Sequence, residues 1–140
     1  MTTPTPIIIT MPGDVVPKAR ARTVHFKSGH SHTYTPEKAA TYQHDLGWTA
    51  REAMDGRRPL RGPVKIQIDI AVRRPKRQAR HFPTGRPDLD NCVKIALDAL
   101  NKIVINDDAQ VVVLSAAKFY AAHASIEITV EAIPEPGAAL

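Results

Sequence analysis

The nine residues VKIQIDIAV (64–72) place an apolar side chain at every second position, with Lys65, Gln67 and Asp69 between them, so Val64, Ile66, Ile68, Ile70 and Val72 share one face. A period of two cannot be accommodated on a helix, and a strand with one apolar face needs both a sheet and a covering layer. The chain supplies candidates for each. PIIITM (6–11), closed by Pro12-Gly13-Asp14, predicts a first strand and a turn. AQVVVLSAAKFY (109–120) and ASIEITVEAI (124–133) predict two more, paired with each other through the loop at 121–123. Thr35-Pro36-Glu37 opens a predicted helix running to about Met54, with Thr35 as N-cap and Ala39, Tyr42, Leu46, Ala50 and Ala53 as its core stripe. A second helix is predicted after Pro87, ending near Lys102, with Val93, Ala96, Leu97, Leu100 and Val104 facing inward. TVHFK, Ser28-Gly29-His30 and HTYT read as a hairpin. Strands and helices mix without strict alternation, which predicts an α+β domain.

The chain's 140 residues suit one domain, with a core over about 7–132 and a frayed tail, PEPGAAL (134–140). No run of 18 apolar residues predicts a membrane span, and the start MTTPTPIIITMPGD lacks the basic n-region of a signal peptide. A single cysteine, Cys92, excludes an internal disulfide and a thiolate zinc cluster, and favours a cytosolic setting. Charge is divided along the chain. Residues 1–87 carry 16 Lys/Arg against 6 Asp/Glu, and residues 88–140 carry 3 against 8. The basic part culminates in RRPKRQARHFPTGRP (73–87), with six cations, three prolines and no acid, which predicts a loop. Basic excess of this kind suits a polyanion, since neutralising phosphates releases counterions.

Directly after that loop comes PDLDN (87–91). If the backbone stays extended to Asp90, the carboxylates of Asp88 and Asp90 point to one side. Two carboxylates so placed repel unless a cation or proton lies between them. Lys94 stands one helical turn beyond Asp90, and Asn106-Asp107-Asp108 supplies a second acidic pair before the strand at 109–120. Three converging carboxylates without sulfur ligands would suit Mg2+ or Mn2+. The same residues also suit plain structural roles: a helix start complementing the macrodipole, a turn before a strand, and a solvated ladder of Asp90, Lys94 and Asp98. His30-x-His32 has metal-ligand spacing but falls in the predicted hairpin, and Trp48, Tyr42 and Cys92 read as buried helix positions.

DLDNCVKIALDAL, NDDAQVV and the Lys118 that follows together resemble the RusA family of Holliday junction resolvases. Val16-Pro17-Lys18-Ala19-Arg20-Ala21-Arg22 and Tyr34-Thr35-Pro36 extend the resemblance over roughly residues 7–132. It implies a small mixed sheet packed with two main helices. It also implies a homodimeric, Mg2+-dependent endonuclease, encoded by bacteria or their prophages, that cuts four-way branched DNA. Carried over residue by residue, the catalytic and metal-binding acids fall on Asp88, Asp90 and Asp108, with Asp107 the weaker neighbour, and the catalytic lysine falls on Lys94. Lys18, Arg20, Arg22, Arg73, Arg74, Lys76, Arg77, Arg80 and Arg86 would then contact DNA phosphates. The alternatives are a related nuclease acting on flaps, forks or packaging intermediates, and a non-catalytic DNA-binding module.

Overall fold

The structure is a computed structural model and describes residues 5–19, 36–77 and 80–136. In chain order the elements are β1 (Ile7–Pro12), α1 (Pro36–Met54), β2 (Val64–Arg73), α2 (Leu89–Leu100), a single 3-10 turn (Asp108–Gln110), β3 (Val111–Ala121) and β4 (Ser125–Ala132). They form one mixed four-stranded sheet with two helices, the predicted α+β arrangement. The predicted hairpin at 23–34 and the Thr35 cap lie outside the described residues.

Strand order is β1-β4-β2-β3. β4 pairs antiparallel with both β1 and β2, and β3 runs parallel to β2. The expected β3–β4 pairing is therefore corrected: β4 lies between β1 and β2, and among the described strands β3 is the last in the order, beside β2. The physical reason is the burial pattern of the two strands. β4 buries Ile126, Ile128 and Val130 and belongs in the sheet centre, whereas most of β3 is exposed. A parallel β2–β3 pair requires a crossover connection, and α2 provides it.

The alternation that predicted β2 is borne out. Val64, Ile66, Ile68 and Ile70 are fully buried on the helix-covered face, beside the β4 trio and Ile7 and Ile9 of β1. Each such side chain contributes roughly 1.5–3 kcal/mol by leaving water. α1 has the expected bounds and buries Ala39, Tyr42, Leu46 and Ala50, with Gly47 and Met54 added. Gly47 lets the helices approach closely, since a Cβ there would meet Ile103 Cδ1 at 3.3 Å and Ala99 O at 3.6 Å. Trp48 is a correction: it is about half exposed, with Arg51 above its ring, because it lies outside the buried stripe of α1.

α2 buries Cys92, Ile95, Ala96, Ala99 and Leu100, spaced as one face of a 3.6-residue helix. The expected face was centred a little to one side, because Val93 and Leu97 are only half-buried. Cys92 lies on the buried face. Burial pushes its thiol up from 9.0 to about 12, an effect opposed by Lys118 and aided by Asp88 and Asp90. Tyr42, packed in the same layer, is raised as well, chiefly by burial and then by Cys92.

A group with a raised folded pKa contributes stability that is complete below its unfolded value and is lost as pH climbs towards the folded one. Stability should therefore decline between about pH 9 and 12. Denaturation curves across that range should show the decline flattened in Cys92→Ala. In the native protein at pH 8, alkylation of Cys92 should be far slower than in urea.

Candidate active site

The parallel crossover gathers several segments at one end of the sheet. The C-terminal ends of β2 and β3, residues 74–77 and 80–88, and the first turn of α2 all lie there. Ile70 of β2 is level with Lys118 of β3, and Arg73 with Ala121. Residues 13–16 pass through the same end, with Gly13 N donating to Ala124 O at 2.9 Å. A cavity of about 200 Å³ opens there between Val15, Val16, Ile70, Arg86 and Pro87.

Asp88 is the N-cap residue of α2, with extended backbone at φ −70° and ψ 129°. Its side chain makes no capping hydrogen bond, although Asp is a preferred capping residue. The helix begins at Leu89, so Asp90 is already helical; the expectation of an extended backbone through Asp90 is corrected by one turn of geometry. Asp88 and Asp90 are both solvent-exposed, with Leu89 half-buried between them. Both carboxylates act on the Cys92 thiol, as does the Lys118 ammonium, so the three charges surround the first turn of α2. Lys94 follows one turn later, exposed.

Lys118 is the residue to which sequence reasoning gave no role. Its Nζ donates to Gly85 O at 2.7 Å and Pro87 O at 2.9 Å, fastening the chain just before Asp88. The signal was present: Lys118 is the one charge in AQVVVLSAAKFY. Its register with Ile70 puts it on the helix-covered face, where a lysine needs a polar partner.

Asp108 is placed elsewhere. It opens the 3-10 turn before β3, at the end of the sheet where Val64 is level with Val111. Seven strand positions separate that level from Lys118, or roughly 23 Å along β3. The expected convergence of Asp88, Asp90 and Asp108 thus does not occur within one chain. α2 returns along the sheet between the two acidic motifs and holds them at opposite ends. Among the described residues, no three His, Cys, Asp or Glu side chains are grouped to hold a metal.

The Asp107–Asp108 pair is differentiated by local bonding. Asp107 caps the turn, its Oδ1 accepting from Ala109 N at 2.9 Å. That backbone N–H, then the neighbouring Asp108, hold the Asp107 carboxyl below its ordinary value. Asp108 is raised instead, first by its hydrogen bond with Asp107 and also by repulsion from Asp107 and Asp98. Gln110 fixes the whole connector. Its Oε1 accepts from Asn106 N (2.7 Å) and Asp107 N (2.9 Å), and its Nε2 donates to Leu60 O and Gly62 O, both at 2.9 Å. Asp107 is therefore the acid that caps the turn, and Asp108 is its hydrogen-bonded neighbour.

The basic residues divide similarly. Arg73 ends β2; Arg74 lies over the Tyr120 ring at 5.7 Å, with its N–H on Ala121 O. Lys76 and Arg77 are exposed on the loop that follows, and Arg80 donates to Thr84 Oγ1 at 2.7 Å. Arg86 lines the cavity beside Asp88. Lys18 is held differently: its backbone N–H bonds Asn91 O, and its ammonium is paired with Asp98 of α2. Arg20 and Arg22 lie outside the described residues.

The model of the family described as "Endodeoxyribonuclease RusA" matches residues 12–131, a span that includes both acidic motifs and the basic loop. The chain belongs to the RusA endodeoxyribonuclease family. A RusA-family assignment makes the protein a DNA-directed nuclease. The chain is similar as well to the uncharacterized protein YqaN of Bacillus subtilis (strain 168), at 28% identity over 142 residues covering 91% of this chain and 96% of that protein. No helix among the described residues is long and apolar enough to cross a membrane.

The division of labour between Gln110 and Asp108 is directly measurable. Gln110→Ala should cost about 2 kcal/mol in denaturant unfolding, since four partly exposed hydrogen bonds are lost. Asp108→Asn should leave the melting temperature unchanged.

Proposed function

We propose that this RusA-family chain is a Mg2+-dependent endonuclease that resolves four-way DNA junctions by paired cleavage, acting as a homodimer. The observation that carries the reading is the uncapped Asp88 beside the exposed Asp90, at the end of the sheet that also holds the basic 73–86 segment and Lys118. An acid pair in a basic surround is electrostatically suited to holding a cation against a phosphate.

The donor set fits a hard divalent cation. Asp88 and Asp90 offer oxygen ligands, the Asp88 carboxylate is not engaged in the cap, and the neighbouring thiol of Cys92 is buried and protonated. Asp88 and Asp90 would hold Mg2+, with Asp108 as a third ligand contributed by the second chain of the dimer, because within one chain it lies at the other end of α2; Mn2+ has the same ligand preference. When bound, the ion would lower the pKa of a water nucleophile and neutralise charge developing on the phosphate.

The remaining work falls to the protein. Lys94, one turn from Asp90, brings a positive charge to the phosphate. Lys118 is a positioning residue: by holding the Gly85 and Pro87 carbonyls it fixes the backbone from which Asp88 projects. Arg73, Arg74, Lys76, Arg77, Arg80 and Arg86 supply phosphate contacts that orient a duplex without reading its sequence. Selectivity for a branch point then rests on DNA shape and deformability. Symmetric cuts in two opposed strands require two sites, which a two-fold dimer provides.

Cleavage assays on four-way junctions, forks, flaps and linear duplex, with and without Mg2+, test the reading. Asp90→Asn should reduce junction cleavage by at least a hundredfold while junction binding persists; full activity in that variant would refute the assignment. Replacing Arg73, Arg74 and Arg77 with Gln should flatten the salt dependence of binding by roughly one unit of log–log slope per lost phosphate contact. An unchanged slope would remove the loop from the DNA interface.

A further inference from the structure

Trp48 is the only tryptophan of the chain, and it is 54% exposed. Tryptophan is highly buried on average, so one held in solvent by its neighbours is unusual. We infer that Trp48 and the groove it walls, between α1 and α2, form a site for one unpaired nucleobase of a DNA strand.

The groove has a built floor and a polar rim. A cavity of about 420 Å³ lies beside Trp48, between Gln43, His44, Gly47 and Arg51 of α1 and Asp98 and Asn101 at the end of α2. That volume is typical of a site for a small molecule or one nucleotide unit. Ala99 and Ile103 complete the floor. Gly47 keeps it bare: a Cβ there would meet Ile103 Cδ1 at 3.3 Å.

The indole is fixed without being buried. Its Nε1–H donates to His44 Nε2 at 3.2 Å. An accepting Nε2 requires the imidazole proton on Nδ1, the nitrogen 3.8 Å from Asp45 Oδ1. The His44 ring stands nearly edge-on to the indole, with centroids 6.3 Å apart at 70°. Arg51 places its guanidinium carbon 5.6 Å from the indole centroid. Residues four before and three after Trp48 on the same helix therefore set its plane before any ligand arrives, which lowers the ordering cost of binding.

The chemistry of the rim selects the occupant. A fixed aromatic ring beside a guanidinium stacks any base, because every base has a π face. The amides of Gln43 and Asn101 both donate and accept, as the edge of an unpaired base requires. An apolar peptide would leave those amides without partners. Asp98 is the one acid among the described residues lining the groove, and it is already paired with Lys18, so Arg51 sets the sign of the rim and suits a flanking phosphate. Bases stacked in a duplex reach such a groove only by unpairing, so strands already open are favoured.

The groove is also in line with the acidic motif. Asp90, Lys94, Asp98 and Asn101 recur every three or four residues and share one side of α2. The 12 residues of α2 span roughly 18 Å. At about 3.4 Å per nucleotide, a strand cut at Asp88 and Asp90 would bring its base into the groove roughly five nucleotides away. That register rests on the nuclease reading above, and the base site itself does not.

Because Trp48 is the sole tryptophan, its emission reports the groove directly. Full-length protein titrated in EDTA with a short single-stranded oligonucleotide should show saturable quenching. A linear duplex should quench little, and an oligomer of abasic sugar-phosphate should not quench. Trp48→Ala should bind the single strand about tenfold more weakly, Trp48→Phe should recover most of that loss, and both should bind duplex as wild type does. Equal quenching by the abasic oligomer, or unchanged single-strand affinity in Trp48→Ala, would overturn the proposal. So would emission that shifts with protein concentration alone, which would assign the groove to a second copy of the chain. Quenching by single strands in a protein that cleaves no DNA would sink the nuclease reading and leave the base site standing. Cleavage without quenching would do the reverse.

Discussion

Parallel pairing of β2 and β3 is the constraint on which the rest of the molecule depends. Two parallel neighbours cannot be joined by a tight turn, so the chain must travel back along the sheet between them. α2 is that return path, and its buried face of Cys92, Ile95, Ala96, Ala99 and Leu100 roofs the β2 isoleucines. Because α2 runs opposite to its flanking strands, PDLDN opens it at one end and NDDAQ follows it at the other. The same crossover delivers the basic loop, the acids at the start of α2 and Lys118 to one edge of the fold. Function follows from topology here more than from any single contact.

The local bonding reinforces this division. At the far end, Gln110 ties the acidic connector to Leu60 and Gly62, and Asp107 is consumed in capping a turn. At the near end the cap position is occupied by an aspartate that does not cap. A carboxylate withheld from its easiest structural role, beside a second exposed carboxylate and a lysine tethering the backbone ahead of it, is a costly arrangement for a surface that only needs to be soluble. Capping bonds typically stabilise a helix by about 1 kcal/mol. The arrangement is consistent with a cation and a phosphate providing the compensating charge.

Much of the fold was legible because its signals are local. The period-two pattern of 64–72 located β2, and Pro36 with its stripe located α1 to the residue. Strand order was not legible, because AQVVVLSAAKFY and ASIEITVEAI look equally able to sit in a sheet centre. What separates them is coverage: Ile126, Ile128 and Val130 meet the helices, and Val112 to Leu114 meet solvent. Composition cannot report coverage. The site residues were legible one motif at a time, and their distances were not. Asp88, Asp90 and Asp108 were expected to converge if the 109–120 strand packed beside the helix, but the chain between the motifs is a rigid helix and its connector, which hold them apart. Lys118 was noticed as part of the family pattern but given no role, because that role depends on register with Ile70, a property of the sheet.

The central claim is that the end of the sheet bearing Asp88 and Asp90 is where a divalent cation and a scissile phosphate meet. Anomalous scattering from crystals grown with Mn2+ tests it most directly. The account predicts an ion bound by Asp88 and Asp90, with a third carboxylate contributed by Asp108 of the second chain of the dimer. An ion held instead by Asp98, Asp107 and Asp108 of one chain, or none near the start of α2 at saturating Mn2+, would contradict it.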